Sequence, residues 1–204
     1  MSKDEVYDGI VSRHLNRRIS RPMARMLAHT PATPNQVSFA AIAVALGSML
    51  CFIYGLNIPG ALLAQLSSII DGVDGDLARL KNMASEFGGF MDSILDRYAD
   101  AILYTGLIIW AAQTTDSGLV WLVGFWALAG TFVVTYTRAR IQGLPRNVFD
   151  RGIASFASRD VRLLVLTIGA LSGQGFATIV VLAALTNAVV LIRLVKAARL
   201  LRSS

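Results

Sequence analysis

The sequence predicts an all-α integral membrane protein with six transmembrane helices, preceded by an N-terminal amphipathic juxtamembrane helix. The 204 residues are 54% hydrophobic and have a mean hydropathy of +0.57, which is far from the composition of a soluble domain. Three uncharged segments are each long enough to cross roughly 30 Å of hydrocarbon as a helix. Basic side chains are absent from alternate connections between apolar segments, as expected of a chain that crosses a bilayer repeatedly.

The predicted spans fall into two groups. Three segments are uncharged along their whole length, at residues 37–56, 117–137 and 174–192. Three shorter apolar segments, at residues 61–70, 101–115 and 163–171, each continue into charged sequence that is still compatible with a helix. If the shorter segments also cross, their charged parts must lie at one end of the bundle.

The distribution of lysine and arginine predicts the orientation. All 19 basic residues lie within residues 1–30, 79–97 and 138–162 or from residue 193 onwards, whereas residues 54–60, 113–118 and 172–175 contain none. Because basic residues are retained on the cytoplasmic side, both termini and the charged helix ends are expected in the cytoplasm of a multi-pass protein of the cell membrane. Six spans satisfy this pattern and an odd number does not.

The N-terminal residues 1–30 form the predicted juxtamembrane segment, and residues 31–204 form the six-helix domain. Apolar side chains recur at helical spacing among the arginines of this segment, as in a helix that lies on a membrane surface. Pro22 should break or kink that helix. The net charge of +6 is not taken to indicate nucleic acid, because the basic residues lie where anionic headgroups or phosphorylated substrates would be.

Seven acidic residues lie between positions 71 and 100, directly after an apolar segment. At about 100° per residue, one arc of the first helix carries Asp71, Asp74, Gly75 and Ala78, while Asp76 points away. The next helix carries a second acidic face at successive i, i+4 positions, made of Gly88, Asp92, Asp96 and Asp100. The two acidic faces are therefore available to meet.

These carboxylates predict a metal site. An ionised aspartate at membrane depth costs about 2.5 to 3.5 kcal/mol, whereas a leucine or isoleucine returns only about 0.3 to 0.6 kcal/mol. The acids must therefore face a wet cavity open to the cytoplasm, where they repel one another unless cations lie between them. Ligands that are all oxygen, with no histidine or cysteine nearby, favour Mg²⁺, Mn²⁺ or Ca²⁺ over zinc.

Two features beside the acids leave alternatives open. Gly75, Ala78 and Gly88 either leave room for a ligand or are helix-packing residues alone. Arg79 either pairs with the acids or holds a phosphate, and the second is favoured if cations already neutralise the carboxylates. Metal ions, a phosphate-seeking arginine and the lack of a Ser-His or Cys-His arrangement favour metal-assisted phosphoryl-group chemistry.

The pattern Asp71-x2-Asp74-Gly75-x2-Ala78-Arg79-x8-Gly88-x3-Asp92-x3-Asp96 resembles the signature of the CDP-alcohol phosphotransferases, also called CDP-alcohol phosphatidyltransferases. The segment Thr33-Pro34-Asn35 is similar to the family's opening of the first span. The resemblance also includes the six-helix plan, and so extends over nearly the whole chain.

The resemblance implies an enzyme that moves a phospho-alcohol group from a CDP-alcohol onto an acceptor hydroxyl and releases CMP. It implies two divalent cations, Mg²⁺ or Mn²⁺ with Ca²⁺ as an inhibitory occupant, and a homodimer. Metal ligands by this likeness are Asp71, Asp74, Asp92 and Asp96, and Asp96 either takes the proton of the acceptor hydroxyl or orients it. The residues expected at the CDP site are Asn35, Asp74, Gly75, Ala78, Arg79 and Gly88. Asp100 lies outside the signature and either supports the ligands from behind or is simply solvated.

The signature does not specify the acceptor, so the remaining cytoplasmic arginines are the best guide. We expect an acceptor that carries phosphate, held by Arg138, Arg140, Arg151, Arg159 and Arg162. The segment SRDVR, with the DGVDGDLARLK form of the signature, resembles the branch containing di-myo-inositol phosphate phosphate synthases, which join CDP-inositol to inositol phosphate. Phosphatidylinositol phosphate synthase and phosphatidylglycerol phosphate synthase types, which use a CDP-lipid donor, remain alternatives.

A divalent cation transporter is the alternative from another class, because intramembrane aspartates also mark ion pathways. A transport path should continue polar groups towards the outer side, yet residues 61–70 and 101–112 are nearly devoid of them. The sequence therefore favours a cavity that is closed at its outer end.

Overall fold

The structure of the protein is a computed structural model, in which residues 16–140 and 157–202 are described. In this part of the chain all regular structure is helical: α1 (Arg17–Ala28), α2 (Pro34–Ile53), α3 (Asn57–Leu80), α4 (Glu86–Thr114), α5 (Leu119–Arg140), α6 (Arg159–Leu171) and α7 (Gly175–Arg202). Each of the six apolar segments overlaps one helix from α2 to α7. The prediction of an all-α fold is therefore confirmed for the described residues.

Three helices are long and apolar enough to cross a membrane: Pro34–Ile53, Leu119–Arg140 and Gly175–Arg199. They coincide with the three uncharged segments of the sequence, and the chain is thus a membrane protein. The helices α3 and α4 are also long, at 24 and 29 residues, but carry the acids over part of their length. The helix α6 has 13 residues and, at 1.5 Å per residue, is about 20 Å long.

A capping box determines where α2 begins. The Thr33 hydroxyl accepts a hydrogen bond from the Gln36 backbone N–H, and the Gln36 side chain accepts one from the Thr33 N–H. Pro34 at the first helical position has a φ that already suits a helix. The helix therefore starts three residues before the uncharged segment that predicts it. This places the Thr33-Pro34-Asn35 turn at the same end of the bundle as the acids of α3.

The core lies between α2, α3, α4 and the C-terminal helices. The helix α2 packs against both α3 and α4, while α5 packs against α7 and α6 against α3. Leu103 and Leu107 of α4 are fully buried in this core with Phe52 of α2. A Cβ at Gly106 would lie 2.8 Å from the Met49 Cα, so α2 and α4 approach each other at a small residue, as membrane helices commonly do.

The helix α1 packs against α3 rather than standing alone. Ala24 is fully buried in a cluster with Val73 and Leu77. Polar contacts continue this interface upstream of α1, where the Asn16 amide donates to the Ser68 hydroxyl at 3.2 Å and the Gln65 amide donates to Asn16 Oδ1 at 3.0 Å. The N-terminal segment therefore fixes the half of α3 that leads into the acids.

The helix α1 continues through Pro22, so the alternative in which this proline breaks the helix is wrong. Proline removes one backbone hydrogen bond, and the buried face formed by Ser20 and Ala24 holds both sides of it against α3. The predicted segment at residues 1–15 lies outside the described residues, and the position of α1 on a membrane surface stays a prediction.

Candidate functional site

Three carboxylates converge where α3 and α4 face each other. One oxygen from each of Asp71, Asp74 and Asp92 lies within 4.8 Å of the other two. Asp71 and Asp74 are one turn apart on α3, and Asp92 projects from the facing side of α4. Asp74 is buried, whereas Asp71 and Asp92 are partly accessible. The two acidic faces predicted from helical periodicity do meet.

Asp74 is held in place by two donors. The Ser38 hydroxyl on α2 donates to its Oδ2, and the Gly75 backbone N–H donates to its Oδ1. Ser38 is 6% exposed, so its hydroxyl has little access to water. Sequence analysis did not identify Ser38; the available signal was its place one turn after the Thr33-Pro34-Asn35 start of α2. A hydroxyl that orients a ligand carboxylate in this way commonly supports a metal site.

Asp96 joins the cluster through an arginine. Its Oδ1 lies 2.7 Å from Arg159 Nη1, and the same nitrogen pairs with Asp71 Oδ2. Its other oxygen lies 3.2 Å from Arg97 Nη1. The fourth predicted ligand is thus adjacent to the three-carboxylate group, and Arg159 from α6 bridges the first and last acids of the signature.

Asp100 is buried, which contradicts the alternative that it is simply solvated. Its side chain is 1% exposed, and it accepts from Arg159 Nε and from Arg162 Nη2, both at 3.0 Å. Arg162 is itself 3% exposed and donates from Nη1 to the Ala157 carbonyl at 2.7 Å. Asp100 therefore anchors the N-terminal end of α6 to α4 and holds Arg159 beside the acids.

A cavity of about 450 Å³ opens beside the carboxylates. It is lined by every residue expected at the CDP site, together with Ser38 and several residues of the α3–α4 connection. The full set of lining residues is Thr33, Pro34, Asn35, Ser38, Asp74, Gly75, Ala78, Arg79, Met83, Ala84, Ser85, Phe87, Gly88, Gly89 and Asp92. The start of α2, the end of α3 and the start of α4 thus form one concave surface.

The glycine at position 75 is not required by packing within the described chain. A Cβ at Gly75 would have Arg79 Nη2, at 4.0 Å, as its nearest neighbour apart from the adjacent residues and the backbone of its own helix. Its lack of a side chain instead leaves the cavity open. Gly88 differs, since a Cβ there would lie 3.1 Å from the Ser85 hydroxyl that caps α4.

Arg79 lines the cavity and is also paired. Its Nη2 lies 2.8 Å from Asp76 Oδ1, and half of its side chain is exposed. The arginine thus pairs with an acid outside the carboxylate cluster and still borders the open space, and the alternative that it holds a phosphate stays a prediction.

The other arginines expected near the acceptor are not gathered at the cluster. Arg138 and Arg140 are exposed at the C-terminal end of α5 and do not line the cavity beside the carboxylates. Arg151 lies outside the described residues. Of the four candidates that the structure describes, Arg159 alone is paired with carboxylates of the signature, and Arg162 supports it through Asp100.

The donor set suits a hard divalent cation. The groups there that could bind a cation are carboxylate and hydroxyl oxygens, which Mg²⁺ and Mn²⁺ prefer, and no soft ligand is among them.

The match with known proteins agrees with this chemistry. Residues 31–191 match the family model described as CDP-alcohol phosphatidyltransferase. The chain belongs to this family. It is therefore a transferase, which favours the main interpretation over a cation transporter.

Among curated relatives, the chain is 44% identical over 188 residues to a Rubrobacter xylanophilus protein named bifunctional IPC transferase and DIPP synthase. This alignment covers 92% of the chain but 42% of that relative, so the chain spans less than half of its length. It is 30% identical to the archaetidylinositol phosphate synthase of Pyrococcus horikoshii, covering 76% of the chain and 79% of the relative.

Solved structures of a phosphatidylinositol phosphate synthase share the fold. The chain matches Mycobacterium tuberculosis phosphatidylinositol phosphate synthase with CDP-DAG bound at a TM-score of 0.72 and 26% identity, covering 87% of this chain and 92% of that one. It matches the same synthase in complex with manganese and citrate at a TM-score of 0.73 and 25% identity, covering 87% and 88% of the two chains.

Proposed function

We propose that this chain transfers a phospho-alcohol group from a CDP-alcohol to a hydroxyl of a phosphorylated polyol, such as inositol phosphate, with release of CMP. The observation that carries the proposal is the convergence of Asp71, Asp74 and Asp92 beside a cavity whose lining includes the other signature residues Gly75, Ala78, Arg79 and Gly88. The relatives named for DIPP and archaetidylinositol phosphate synthesis support an inositol-containing substrate.

Asp71, Asp74, Asp92 and Asp96 would hold two divalent cations, in line with the manganese complex of the mycobacterial relative. Bound there, such cations would offset the charge of a pyrophosphate and stabilise the departing CMP. Ser38 fixes the orientation of Asp74, and the bare backbone at Gly75 lets a nucleotide approach α3 closely. Asn35, Ala78, Arg79 and Gly88 would line the CDP site.

In the proposed reaction the acceptor hydroxyl attacks the phosphorus that bears the alcohol. A new P–O bond forms, the pyrophosphate P–O bond breaks, and CMP leaves. Asp96 would receive the hydroxyl proton or orient the hydroxyl, and its position on α4 one turn beyond Asp92 supports this role. An Asp96→Asn variant that keeps CDP binding but loses turnover would support this role, and one with full activity would refute it.

Arg159 is the proposed donor to the acceptor phosphate. Its Nη1 and Nε are engaged by carboxylates, while its buried Nη2 has no hydrogen-bond partner among the described residues. A buried donor without a partner costs free energy, which a phosphate oxygen would offset. Arg162 has a different task, because both of its terminal nitrogens are used to hold Asp100 and the Ala157 carbonyl.

The different roles proposed for Arg159 and Arg162 predict different effects when each is replaced by alanine. Arg159→Ala should raise the acceptor KM more than the donor KM, because it removes a phosphate ligand. Arg162→Ala should act mainly by lowering stability, since it leaves Asp100 buried with one partner fewer. Unchanged acceptor kinetics in Arg159→Ala would refute the proposed contact between Arg159 and the acceptor phosphate.

The identity of both substrates is tested by a screen. Purified protein is incubated with Mg²⁺ or Mn²⁺, a set of CDP-alcohols including CDP-inositol and a CDP-lipid, and phosphorylated polyols including inositol phosphate and glycerol 3-phosphate. CMP release is measured and the product is identified by mass spectrometry. A product made only from the CDP-lipid would favour the second candidate, a phosphatidylinositol phosphate or phosphatidylglycerol phosphate synthase type. The observation in favour of this candidate is the CDP-DAG complex of the mycobacterial relative.

We further propose that α2 to α7 all cross the membrane, with both termini and the carboxylate cluster on the cytoplasmic side, and that two chains form a homodimer. The confinement of basic residues to one side supports the orientation. Cys51 is the single cysteine of the chain, so Cys51→Ser carrying either Asn82→Cys or Ser117→Cys allows labelling from each side of a sealed vesicle. Labelling of both positions from the same side would refute the topology, and a monomeric mass in detergent would refute the dimer.

A further inference from the structure

A second, smaller cavity lies between α1 and the C-terminal end of α3. It has a volume of about 190 Å³ and is lined by Arg21, Arg25, Asp76, Arg79 and Leu80. Three of its five lining residues are arginines from two helices, and none of the carboxylates of the metal cluster lines it. The residues of this cavity other than Arg79 have no part in the function proposed above.

The acid in this cavity is already paired. Asp76 Oδ1 lies 2.6 Å from Arg17 Nη1 and 2.8 Å from Arg79 Nη2. Its other oxygen accepts from the Ser20 hydroxyl at 3.4 Å. One carboxylate thus serves two guanidinium groups, and positive charge remains in excess around the cavity.

The arginines of α1 follow one side of the helix. Arg17, Arg21 and Arg25 are spaced four residues apart, so their side chains are neighbours along the axis. Like charges at this spacing oppose helix formation, and Arg21 and Arg25 have no ion pair within the described part of the chain. The carbonyl end of α3 attracts cations, but Arg79 in its last turn already meets that demand.

We propose that this cavity binds a phosphate group, held by the guanidinium groups of Arg21 and Arg25 with Arg79 at its inner wall. Arginine side chains bind phosphate oxygens in pairs of parallel hydrogen bonds, and an anion between Arg21 and Arg25 would convert their mutual repulsion into shared attraction. The phosphate belongs either to an anionic lipid headgroup or to a free phosphate compound, because both present the same oxygens to the cavity.

The test compares two double variants with the same change in net charge. R21Q/R25Q removes the proposed ligands, whereas R18Q/R199Q removes two exposed arginines that do not line the cavity. In one arm, the full chain is placed in phosphatidylcholine nanodiscs doped with phosphatidylglycerol, and retained lipid is counted by native mass spectrometry. In the other arm, inorganic phosphate is titrated into the chain in neutral detergent and followed by calorimetry.

We expect R21Q/R25Q to weaken binding by about tenfold or more in one arm, while R18Q/R199Q binds like the unmodified chain. A loss confined to the nanodisc arm identifies a headgroup, and a loss confined to the titration identifies free phosphate. The quantity compared is the difference in binding between R21Q/R25Q and R18Q/R199Q. Phosphate that binds elsewhere on the chain contributes equally to both variants and does not affect this difference. R21K/R25K, which keeps the charge without the planar fork, should retain part of the binding.

Equal binding by R21Q/R25Q and the unmodified chain in both arms would overturn the proposal. So would an equal loss in the two double variants, which would show an effect of net charge alone. Thermal melting of each variant separates loss of a ligand from loss of fold, and R21Q/R25Q should melt no lower than R18Q/R199Q because Arg21 and Arg25 are exposed.

Discussion

The substitution Asp100→Asn should destabilise the fold more than loss of one ordinary hydrogen bond would. Asp100 is 1% exposed and is the carboxylate shared by Arg159 and Arg162, at 3.0 Å from each. Removing one partner of a buried ion pair costs about 3 to 5 kcal/mol, because the remaining charge stays buried without compensation. Arg162 is itself 3% exposed, so water cannot replace the lost carboxylate.

A loss of about 3 kcal/mol should lower the melting temperature by about 6 to 12 °C for a chain of this size. The measurement is thermal unfolding of the purified protein in detergent, followed by intrinsic fluorescence. Asp116→Asn is the matched control, because Asp116 is exposed in the α4–α5 connection and surface substitutions usually change stability by about 0.5 kcal/mol or less.

A double variant tests the cause. D100L/R162M removes both charges of one buried pair and should lose less stability than the sum of D100L and R162M, because neither charge is then left alone. If D100N melts together with the Asp116→Asn control, or if the losses in the double variant simply add, the ion pair does not anchor α6 to α4.

Three further outcomes are expected. Chelation of divalent cations should abolish CMP release, and excess Mg²⁺ or Mn²⁺ should restore it; undiminished turnover in chelator would exclude the metal role of the carboxylates. Ser38→Ala should raise the Mn²⁺ concentration that gives half-maximal activity by about 10- to 100-fold, because it removes a hydrogen bond that orients Asp74. Ser93→Ala, on the exposed face of α4, should not change this concentration. Equal metal dependence in the two variants would contradict the positioning role of Ser38. Gly75→Ala should raise the donor KM without lowering the melting temperature, because its Cβ would enter the cavity rather than a packed contact. Gly106→Ala should lower the melting temperature, because its Cβ would lie 2.8 Å from a backbone atom of α2. The reversed pattern would refute this distinction between the two glycines.

Local periodicity was enough to predict the two acidic faces. Asp71 and Asp74 are one turn apart, and so are Asp92 and Asp96, so a helix places each pair on one side without any knowledge of tertiary structure. The same argument placed Asp76 away from the cluster, and it does lie apart, paired with Arg17 and Arg79. Hydropathy likewise predicted the three apolar helices, because burial in lipid imposes a length and a composition.

Contacts between distant segments left no such signal. Ser38 and Asp74 are 36 positions apart, and Arg159 and Asp71 are 88 apart, so no repeating pattern connects them. For Asp100 two alternatives stayed open, because its partners lie on α6 and only packing brings α6 to α4. The docking of α1 was missed for a similar reason: its apolar face suits a lipid surface and a neighbouring helix equally well.

The contacts of Asn16 have a practical consequence for anyone who shortens this chain or joins it to another. Its side chain is seated among Gln65 and Ser68, one turn of α3 ahead of Asp71, although it precedes the first described helix. A fusion junction placed downstream of Asn16 would leave the Gln65 amide without its acceptor. The part of α3 that positions Asp71, the first proposed metal ligand, would then be held less firmly. Boundaries for expression should therefore be drawn upstream of Asn16, even where the residues before it are replaced.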